Sequence, residues 1–295
     1  MESRKRIATI GMFDGLHRGH QAVLGILCDE AASRRLDPLV FTFDRHPLET
    51  IDPARAPKTL MDPDLRDELI RSRGIRVERV QFSDKIRNLT AAQWLRRMAS
   101  VYGVEVLILG YDNTFGSDGR NLNIDDYRHL AAEAGIELLT TSAVPGCSSS
   151  AVRRALSDGD TVKAAEILGS PFTVSGPVVH GRQMGRTIGF PTANININPR
   201  RQLPLRGVYA ARVVNADDNV YNAVVNIGNA PTLSDGSTLT VEAYLLDFSG
   251  DLYGRTLQIE FGPRIREERH FASADELINR INLDIARARK LLKKN

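Results

Sequence analysis

Residues 10–20 read Ile-Gly-Met-Phe-Asp-Gly-Leu-His-Arg-Gly-His, and they follow the short apolar run Arg6–Ile10. Gly11 and Gly15 permit a sharp turn that brings backbone N–H groups close to a ligand. His17 and His20 then fall on one face of the helix that begins there. A helix N-terminus favours phosphate because its first amides are unpaired, and imidazoles beside those amides can donate to phosphate oxygens. The stretch therefore predicts a triphosphate cradle in a nucleotide-using enzyme.

Strands alternate with helices through the first half of the chain. The predicted strands are Arg6–Ile10, Leu39–Phe43, Val77–Phe82, Val104–Leu109 and Ile136–Thr140. The predicted helices between them are Gly19–Arg35, Asp62–Arg73 and Thr90–Tyr102. This alternation is typical of a Rossmann-like α/β domain with a parallel sheet and helices on both faces. Ligands of such sheets bind beyond the carboxyl ends of the strands, where residues 11–20 would lie.

The second half reads as mainly β structure. A helical piece, Thr161–Leu168, stops at Gly169, and a different pattern follows it. Predicted strands are Phe172–Val179, Val208–Val214, Val220–Ile227, Thr238–Phe248 and Thr256–Phe261, separated by turn signals. Short strands without intervening helices indicate an antiparallel sheet or small barrel, and Ser273 is predicted to cap a final amphipathic helix. We place the domain boundary near residue 170, giving domains 1–170 and 171–295.

Composition fits an ordinary globular protein large enough for two cores. The chain has 295 residues, of which 42% are hydrophobic and 25% charged. Its 39 basic and 36 acidic residues leave a net charge of only +3, which is too weak to indicate nucleic-acid binding. It contains no apolar run of membrane-spanning length and no signal-peptide core. With only two cysteines, a disulfide framework is not expected, so the prediction is a reducing, cytoplasmic setting without membrane association.

Further motifs in the first half each have a plainer interpretation. His17 and His20 could simply be a polar helix start, or a metal pair, although no third ligand lies nearby in the sequence. His46 follows the second strand and precedes a proline, so by itself it is equally a surface turn. Ser148–Ser150 open a helix with Arg153 one turn further on. A plain N-cap explains one serine, whereas phosphate binding would use several of them with the arginine.

The second half carries a glycine-rich loop and a glutamate on a predicted strand. Gly181, Gly185 and Gly189 recur every fourth residue and are followed by Thr192 and Asn194. Glycines allow close backbone approach to phosphates, and hydroxyl and carboxamide oxygens suit Mg²⁺. Glu242 shares its strand face with Thr240 and Tyr244. It could be a general base or an ordinary solvent-facing glutamate.

Taken together, these segments resemble the bacterial bifunctional riboflavin kinase/FAD synthetase family along nearly the whole chain. The matching segments of the first half are Gly11–His20, Thr42-Phe-Asp-x-His-Pro47, Gly110-Tyr-Asp112…Phe115-Gly116 and Ser148-Ser-Ser-x-Val-Arg153. Those of the second half are Gly189–Asn194, Asn226-Ile-Gly228…Pro231-Thr232, Glu242…Leu246-Asp-Phe248…Leu252-Tyr-Gly254 and Arg266…Glu268…Phe271. Their common order across two modules makes the resemblance specific.

The resemblance implies two coupled reactions. The second module would phosphorylate the ribityl 5′-hydroxyl of riboflavin with ATP to give FMN, and the first would transfer AMP from ATP to FMN to give FAD and pyrophosphate. In the kinase, Glu242 would be the base and Thr192 and Asn194 would hold Mg²⁺–ATP, with the glycines at 181, 185 and 189 around it. In the adenylyltransferase, His46 and Asp112 would line the flavin side. Residues implied to bind its ATP are Gly11, Phe13, Asp14, His17, His20, Ser149, Ser150 and Arg153, with the two histidines also stabilising charge during transfer.

The sequence departs from the family pattern at Arg45, Asn113, Ser150 and Tyr244, where proline, phenylalanine, threonine and histidine are usual. Arg45 and Asn113 fall on the presumed flavin side, so an alternative is a riboflavin kinase whose first domain is inactive or differently specific. A flavin- or nucleotide-binding regulator without catalysis is a second alternative. A class I aminoacyl-tRNA synthetase would share the style of the His-x-x-His site but would need a much longer chain and a tRNA-binding surface.

Overall fold

The computed structural model describes residues 5–111, 113–181, 184–229 and 239–293. Contacts between residues divide the chain into two compact units, Met1–Cys147 and Ser148–Asn295. Within the described ranges, no helix is both long and apolar enough to cross a membrane.

The first unit is built on a five-stranded parallel sheet, as predicted. Its strands are β1 (Arg6–Ile10), β2 (Asp37–Phe43), β3 (Arg76–Val80), β4 (Val104–Leu109) and β5 (Glu137–Thr140), in the order β3-β2-β1-β4-β5. Its described helices are α1 (Arg18–Arg34), α2 (Pro47–Ile51), α3 (Pro63–Arg71), α4 (Asp84–Arg87), α5 (Ala91–Tyr102) and α6 (Ile124–Glu133). Because each face of the sheet packs into its own apolar cluster, helices cover both sides.

The local sequence explains where these helices begin and end. Thr90 caps α5 by accepting from the Gln93 amide, and Gly103 ends it in a left-handed conformation, with φ of 65°. The sequence patterns gave no prediction for α6, because only Tyr127 and Ala131 of that helix are buried. Its start is nevertheless encoded locally, since the Asn123 side chain accepts from two amides of the first turn.

The second unit is a closed six-stranded barrel, which confirms the predicted antiparallel β architecture. Its strands are β6 (Phe172–Val179), β7 (Ala193–Ile195), β8 (Gly207–Val214), β9 (Val220–Asn229), β10 (Leu239–Leu245) and β11 (Thr256–Arg266), in the order β10-β7-β6-β11-β8-β9. Its described helices are α7 (Ser149–Ser157), α8 (Thr161–Leu168), α9 (Met184–Thr187) and α10 (Ala274–Leu292). Ser273 caps α10 as predicted, and Ala288 and Leu292 of that helix pack on the barrel.

Several details of this unit differ from the sequence patterns. Strand β7 and helix α9 were not predicted, because elements of three and four residues leave no recognisable apolar pattern. The strand predicted over Thr238–Phe248 ends at Leu245, because Asp247 adopts a left-handed φ of 60° that a strand cannot contain. Thr238 itself lies outside the described residues. Helices α7 and α8 contact the barrel: the Thr161 hydroxyl donates to the Gly262 carbonyl at 2.6 Å, and the Leu205 amide donates to the Leu156 carbonyl at 2.8 Å. By contacts, then, these helices belong with the barrel, although the sequence pattern changes only near residue 170.

Candidate active sites

The turn after β1 is tightly wound and lies at the carboxyl edge of the sheet. Phe13, Gly15 and Leu16 all have left-handed φ values, of 51°, 82° and 42°. Such values are uncommon for side-chain-bearing residues and are maintained only where the surroundings hold them. The turn delivers His17 to the N-cap of α1, where its Nδ1 accepts from the His20 amide at 3.3 Å.

The two predicted histidines meet face to face. The ring centroids of His17 and His20 are 3.6 Å apart, and the ring planes are inclined by 20°. Gly19 leaves room for this arrangement, because a Cβ there would lie 3.1 Å from the His17 ring. The structure therefore brings the pair together beside the first amides of α1, as the sequence predicted.

The surroundings of His20 favour the neutral form of its imidazole. Burial, the neighbouring His17 and the positive charge of Arg66 together hold the pKa of His20 well below its ordinary value. Its Nδ1 is buried without a hydrogen-bond partner among the described residues. A buried polar atom without a partner is unfavourable, so a ligand that supplied one would be stabilised there.

Asp14 is used to hold the turn. Its carboxylate is only 7% exposed and accepts from the Leu60 amide at 2.8 Å and from the Met61 amide at 3.2 Å. These contacts anchor the turn after β1 to the segment that precedes α3. A direct contact between Asp14 and ATP stays a prediction.

The described residues of the presumed flavin side follow β2 and β4, the two strands that flank β1. His46 caps α2, with its Nδ1 accepting from the Leu48 amide at 3.2 Å. Arg45 is half exposed and pairs with Asp44 at 3.2 Å. Asn113 donates from its carboxamide to the Ile10 carbonyl, joining the loop after β4 to the end of β1. Asp112 lies outside the described residues, so its predicted role stays a prediction.

The serine cluster opens α7, as expected. Ser148 is the N-cap, and its hydroxyl accepts from the Ala151 amide at 3.1 Å. Ser149, Ser150 and Arg153 follow within the first turns of this helix. Capping therefore accounts for Ser148, while phosphate binding by the other three residues stays a prediction.

The residues that the family resemblance assigned to phosphorylation lie on the outer face of the barrel. Val241, Ala243 and Leu245 point into the core, so Glu242 between them faces outward. In the ladder, Glu242 lies directly opposite Asn194 of β7 on one side and Asn226 of β9 on the other. The Thr192 hydroxyl donates to the Glu242 carboxylate at 3.2 Å. The three residues predicted from the sequence therefore lie together.

The glycine loop packs closely against this group. A Cβ at Gly181 would overlap the Asn194 carboxamide, and one at Gly185 would overlap the Phe190 carbonyl. Gly189 has a φ of 86°, a conformation that favours glycine. Each glycine of the loop therefore has a structural reason: Gly181 and Gly185 lie too close to other atoms for a side chain, and Gly189 adopts a left-handed conformation.

A cavity of about 680 Å³ opens beside Thr192. Its size and mainly apolar, aromatic walls suit a small-molecule ligand with a flat ring. The wall residues that define it best are Pro191, Thr192, Tyr244, Phe248, Leu252 and Tyr253. His180 stacks on Tyr253 at 4.0 Å between ring centroids, next to the start of the glycine loop.

Sequence reasoning assigned no role to several residues at these sites. Asn226 borders Glu242, and the Glu268 carboxylate lies so close to Gly228 that a Cβ there would overlap it. Both stand in segments that carry the family resemblance, but only the three-dimensional structure shows which residues they contact. Arg66, which donates to the Met12 carbonyl in the turn after β1, belongs to none of the sequence motifs. Among the residues that the structure describes, no three His, Cys, Asp or Glu side chains form a group that could hold a metal ion.

Two family models match the two halves of the chain. The FAD synthetase model matches residues 1–152, and the riboflavin kinase model matches residues 168–292.

Curated relatives and a solved structure match along nearly the full length. The bifunctional riboflavin kinase/FMN adenylyltransferase of Pseudomonas fluorescens is 39% identical, over 98% of this chain and 94% of the relative. The Escherichia coli K12 protein of the same name is 39% identical, over 96% and 92%. A Streptococcus pneumoniae crystal structure titled as a macrolide-efflux protein is 29% identical with a TM-score of 0.88, covering 98% of this chain and 95% of that one. The chain belongs to the bifunctional riboflavin kinase/FMN adenylyltransferase family.

Proposed function

We propose that this chain makes FMN and then FAD at two separate sites, one in each half. The observation that carries this proposal is that each matched segment holds its own cluster of phosphate-directed residues. His17 and His20 stack at the start of α1, and Thr192, Asn194 and Glu242 share the outer face of the barrel. We keep the boundary between the two catalytic domains near residue 170, which the matches at 1–152 and 168–292 support.

In the kinase half, Glu242 is the general base. Its carboxylate would accept the proton of the riboflavin 5′-hydroxyl as that oxygen bonds to the γ-phosphorus of ATP and the bond to the bridging oxygen breaks. Thr192, which donates to Glu242 at 3.2 Å, holds the carboxylate beside the phosphate-binding loop. The cavity along Phe248 and Tyr253 would receive the nucleotide base.

The residues at this site fit a magnesium ion. The Thr192 hydroxyl and the Asn194 carboxamide are hard oxygen donors next to the Glu242 carboxylate, and Mg²⁺ prefers few protein oxygens together with substrate phosphates. When bound, the ion neutralises phosphate charge. Thr192 and Asn194 would hold it.

In the adenylyltransferase half, the stacked histidines bind ATP. Donors from the α1 N-terminus and from the His17 and His20 rings would surround the phosphates. An FMN phosphate oxygen then bonds to the α-phosphorus of ATP, and pyrophosphate leaves with its charge stabilised by those donors. The buried Nδ1 of His20, which has no hydrogen-bond partner among the described residues, would gain one from a phosphate oxygen. Ser149, Ser150 and Arg153 would complete the phosphate contacts, and His46 and Asp112 the flavin side.

A single time course tests the proposal. Purified protein is incubated with riboflavin, ATP and MgCl₂, and the flavins are separated at intervals. FMN should appear first and FAD should follow. FMN that accumulates without FAD would indicate the kinase alone, and binding without any product would indicate a regulator.

We also infer a cytoplasmic setting, supported by Cys28 and Cys147 both being free thiols.

A further inference from the structure

Arg66 of α3 is a buried cation with three directed contacts. It is 3% exposed. Its Nη1 donates to the Met12 carbonyl and its Nη2 to the Phe43 carbonyl, both at 3.1 Å. Its Nε donates to the Asp67 carboxylate at 2.9 Å. One planar guanidinium therefore joins two backbone segments and is itself fixed in orientation.

The two carbonyls belong to the two sides of the adenylyltransferase site. Met12 lies in the turn that carries His17 and His20, and Phe43 is the last residue of β2, just before Arg45 and His46. The fork of Arg66 thus adds a side-chain tie between the turn after β1 and the end of β2. It supplements two other bonds, from the Gly11 amide to the Phe41 carbonyl at 3.0 Å and from the Thr42 hydroxyl to the Met12 carbonyl at 3.3 Å.

Net stabilisation of the fold is a weak explanation for the buried charges of Arg66 and Asp67. Asp67 is fully buried, and its other carboxylate oxygen accepts from Arg79 at 2.7 Å. Buried ion pairs contribute little net stability compared with apolar side chains of similar volume. Meanwhile the turn that Arg66 holds contains the left-handed residues Phe13 and Leu16, which need external restraint.

We propose that Arg66 is a positioning residue for FMN adenylation, because its fork holds the turn after β1 in register with the end of β2. It acts through the backbone of Met12 and Phe43 and need not touch either substrate. The inference rests on the proposed function of the His17–His20 site. It goes further in assigning the geometry of that site to a side chain of α3.

The test uses the full-length protein and compares Arg66→Lys with Arg71→Gln. Lysine keeps the positive charge but cannot make the three-way fork. Arg71 also lies on α3 and approaches Asp67 at 3.9 Å, yet its side chain is 56% exposed, which makes Arg71→Gln the matched control. For each variant, kcat and KM of FMN adenylation are measured separately, together with riboflavin phosphorylation and the hydrogen-exchange protection of β1 and β4.

Arg66→Lys should lower kcat for FMN adenylation by about 100-fold, the loss expected from a displacement of about 1 Å at a reacting group. In Arg66→Lys, the hydrogen-exchange protection of β1 and β4 and the rate of riboflavin phosphorylation should stay at wild-type levels. In Arg71→Gln, all of the measured quantities should stay at wild-type levels. Adenylation by Arg66→Lys within about twofold of wild type would overturn the inference, and so would a loss accompanied by unprotected strands, because Arg66 would then serve only the fold. The His17–His20 site itself is tested separately. If His20→Ala still adenylates FMN at the wild-type rate, the proposed site is wrong, whatever the result for Arg66→Lys.

Discussion

The His17 and His20 rings stack with their centroids 3.6 Å apart at the start of α1, beside the first amides of that helix. Two imidazoles at this distance resist simultaneous protonation, because each positive charge raises the cost of the other. An anion between them and the helix amides reverses that balance. His20 is therefore expected to be neutral without nucleotide and to gain positive character when phosphates bind.

Replacing His20 tests the role of the pair directly. In His20→Ala, FAD synthesis should fall by at least about 100-fold, the scale for loss of a positioned donor in charge stabilisation. FMN should still accumulate from riboflavin, because the kinase residues lie in the other unit. Separation of the flavin products measures both steps. His129→Ala, on the exposed face of α6, is the control, and FAD production by His20→Ala at the control rate would contradict the phosphate role.

The titration of His20 gives a second check. Burial, His17 and Arg66 all disfavour the charged imidazole, so nitrogen NMR should find its pKa well below the ordinary value of about 6.5. Adding α,β-methylene-ATP should raise that pKa, because phosphate charge favours the protonated form. Arg66→Gln should raise it as well by removing a positive charge. A His20 that titrates at or above the ordinary value without nucleotide would refute this electrostatic description.

Glu242→Gln tests the kinase base. A carboxamide keeps the shape of the side chain but cannot accept the hydroxyl proton, so FMN formation should fall about 10²- to 10⁴-fold. Adenylation of supplied FMN should remain at the wild-type rate. Glu267→Gln, whose parent side chain is 86% exposed, is the matched control. Loss of both activities in Glu242→Gln would argue against two separate sites.

Gly181→Ala tests the close packing of the glycine loop. The added methyl group would overlap the Asn194 carboxamide, so either the loop or Asn194 must shift. Riboflavin phosphorylation should then show a kcat/KM for ATP lowered by about tenfold or more, in line with the sensitivity of positioned groups to small displacements. Gly25→Ala on α1, where the methyl group meets no atom within 4 Å, should leave both activities unchanged. Wild-type kinetics in Gly181→Ala would mean that the loop does not need this contact.

The sequence predicted every described strand except the three-residue β7. The predicted bounds of β1, β4 and β6 agree with the structure to the residue, and a glycine follows each strand within two residues. Helix α6 was not predicted, because a helix that buries two side chains leaves a weak apolar pattern.

Site residues were predictable only where side-chain type and local spacing carry the information. Thr192, Asn194 and Glu242 were expected to act together, and the structure brings them together. The anchoring role of Asp14 depends on the Leu60 and Met61 amides, 46 and 47 residues away. The contacts of Arg66 depend on the direction of the Met12 and Phe43 carbonyls. A sequence pattern does not report the orientation of a distant carbonyl.

The closed barrel determines what can move during phosphorylation. Glu242 belongs to a strand that is hydrogen-bonded on both sides, to β7 and to β9, so its backbone cannot shift without breaking two ladders. The backbone of Glu242 is therefore a fixed point of the barrel. For Glu242 to act as the proposed base, riboflavin and ATP must therefore come to the strand, because the strand is not free to move to them.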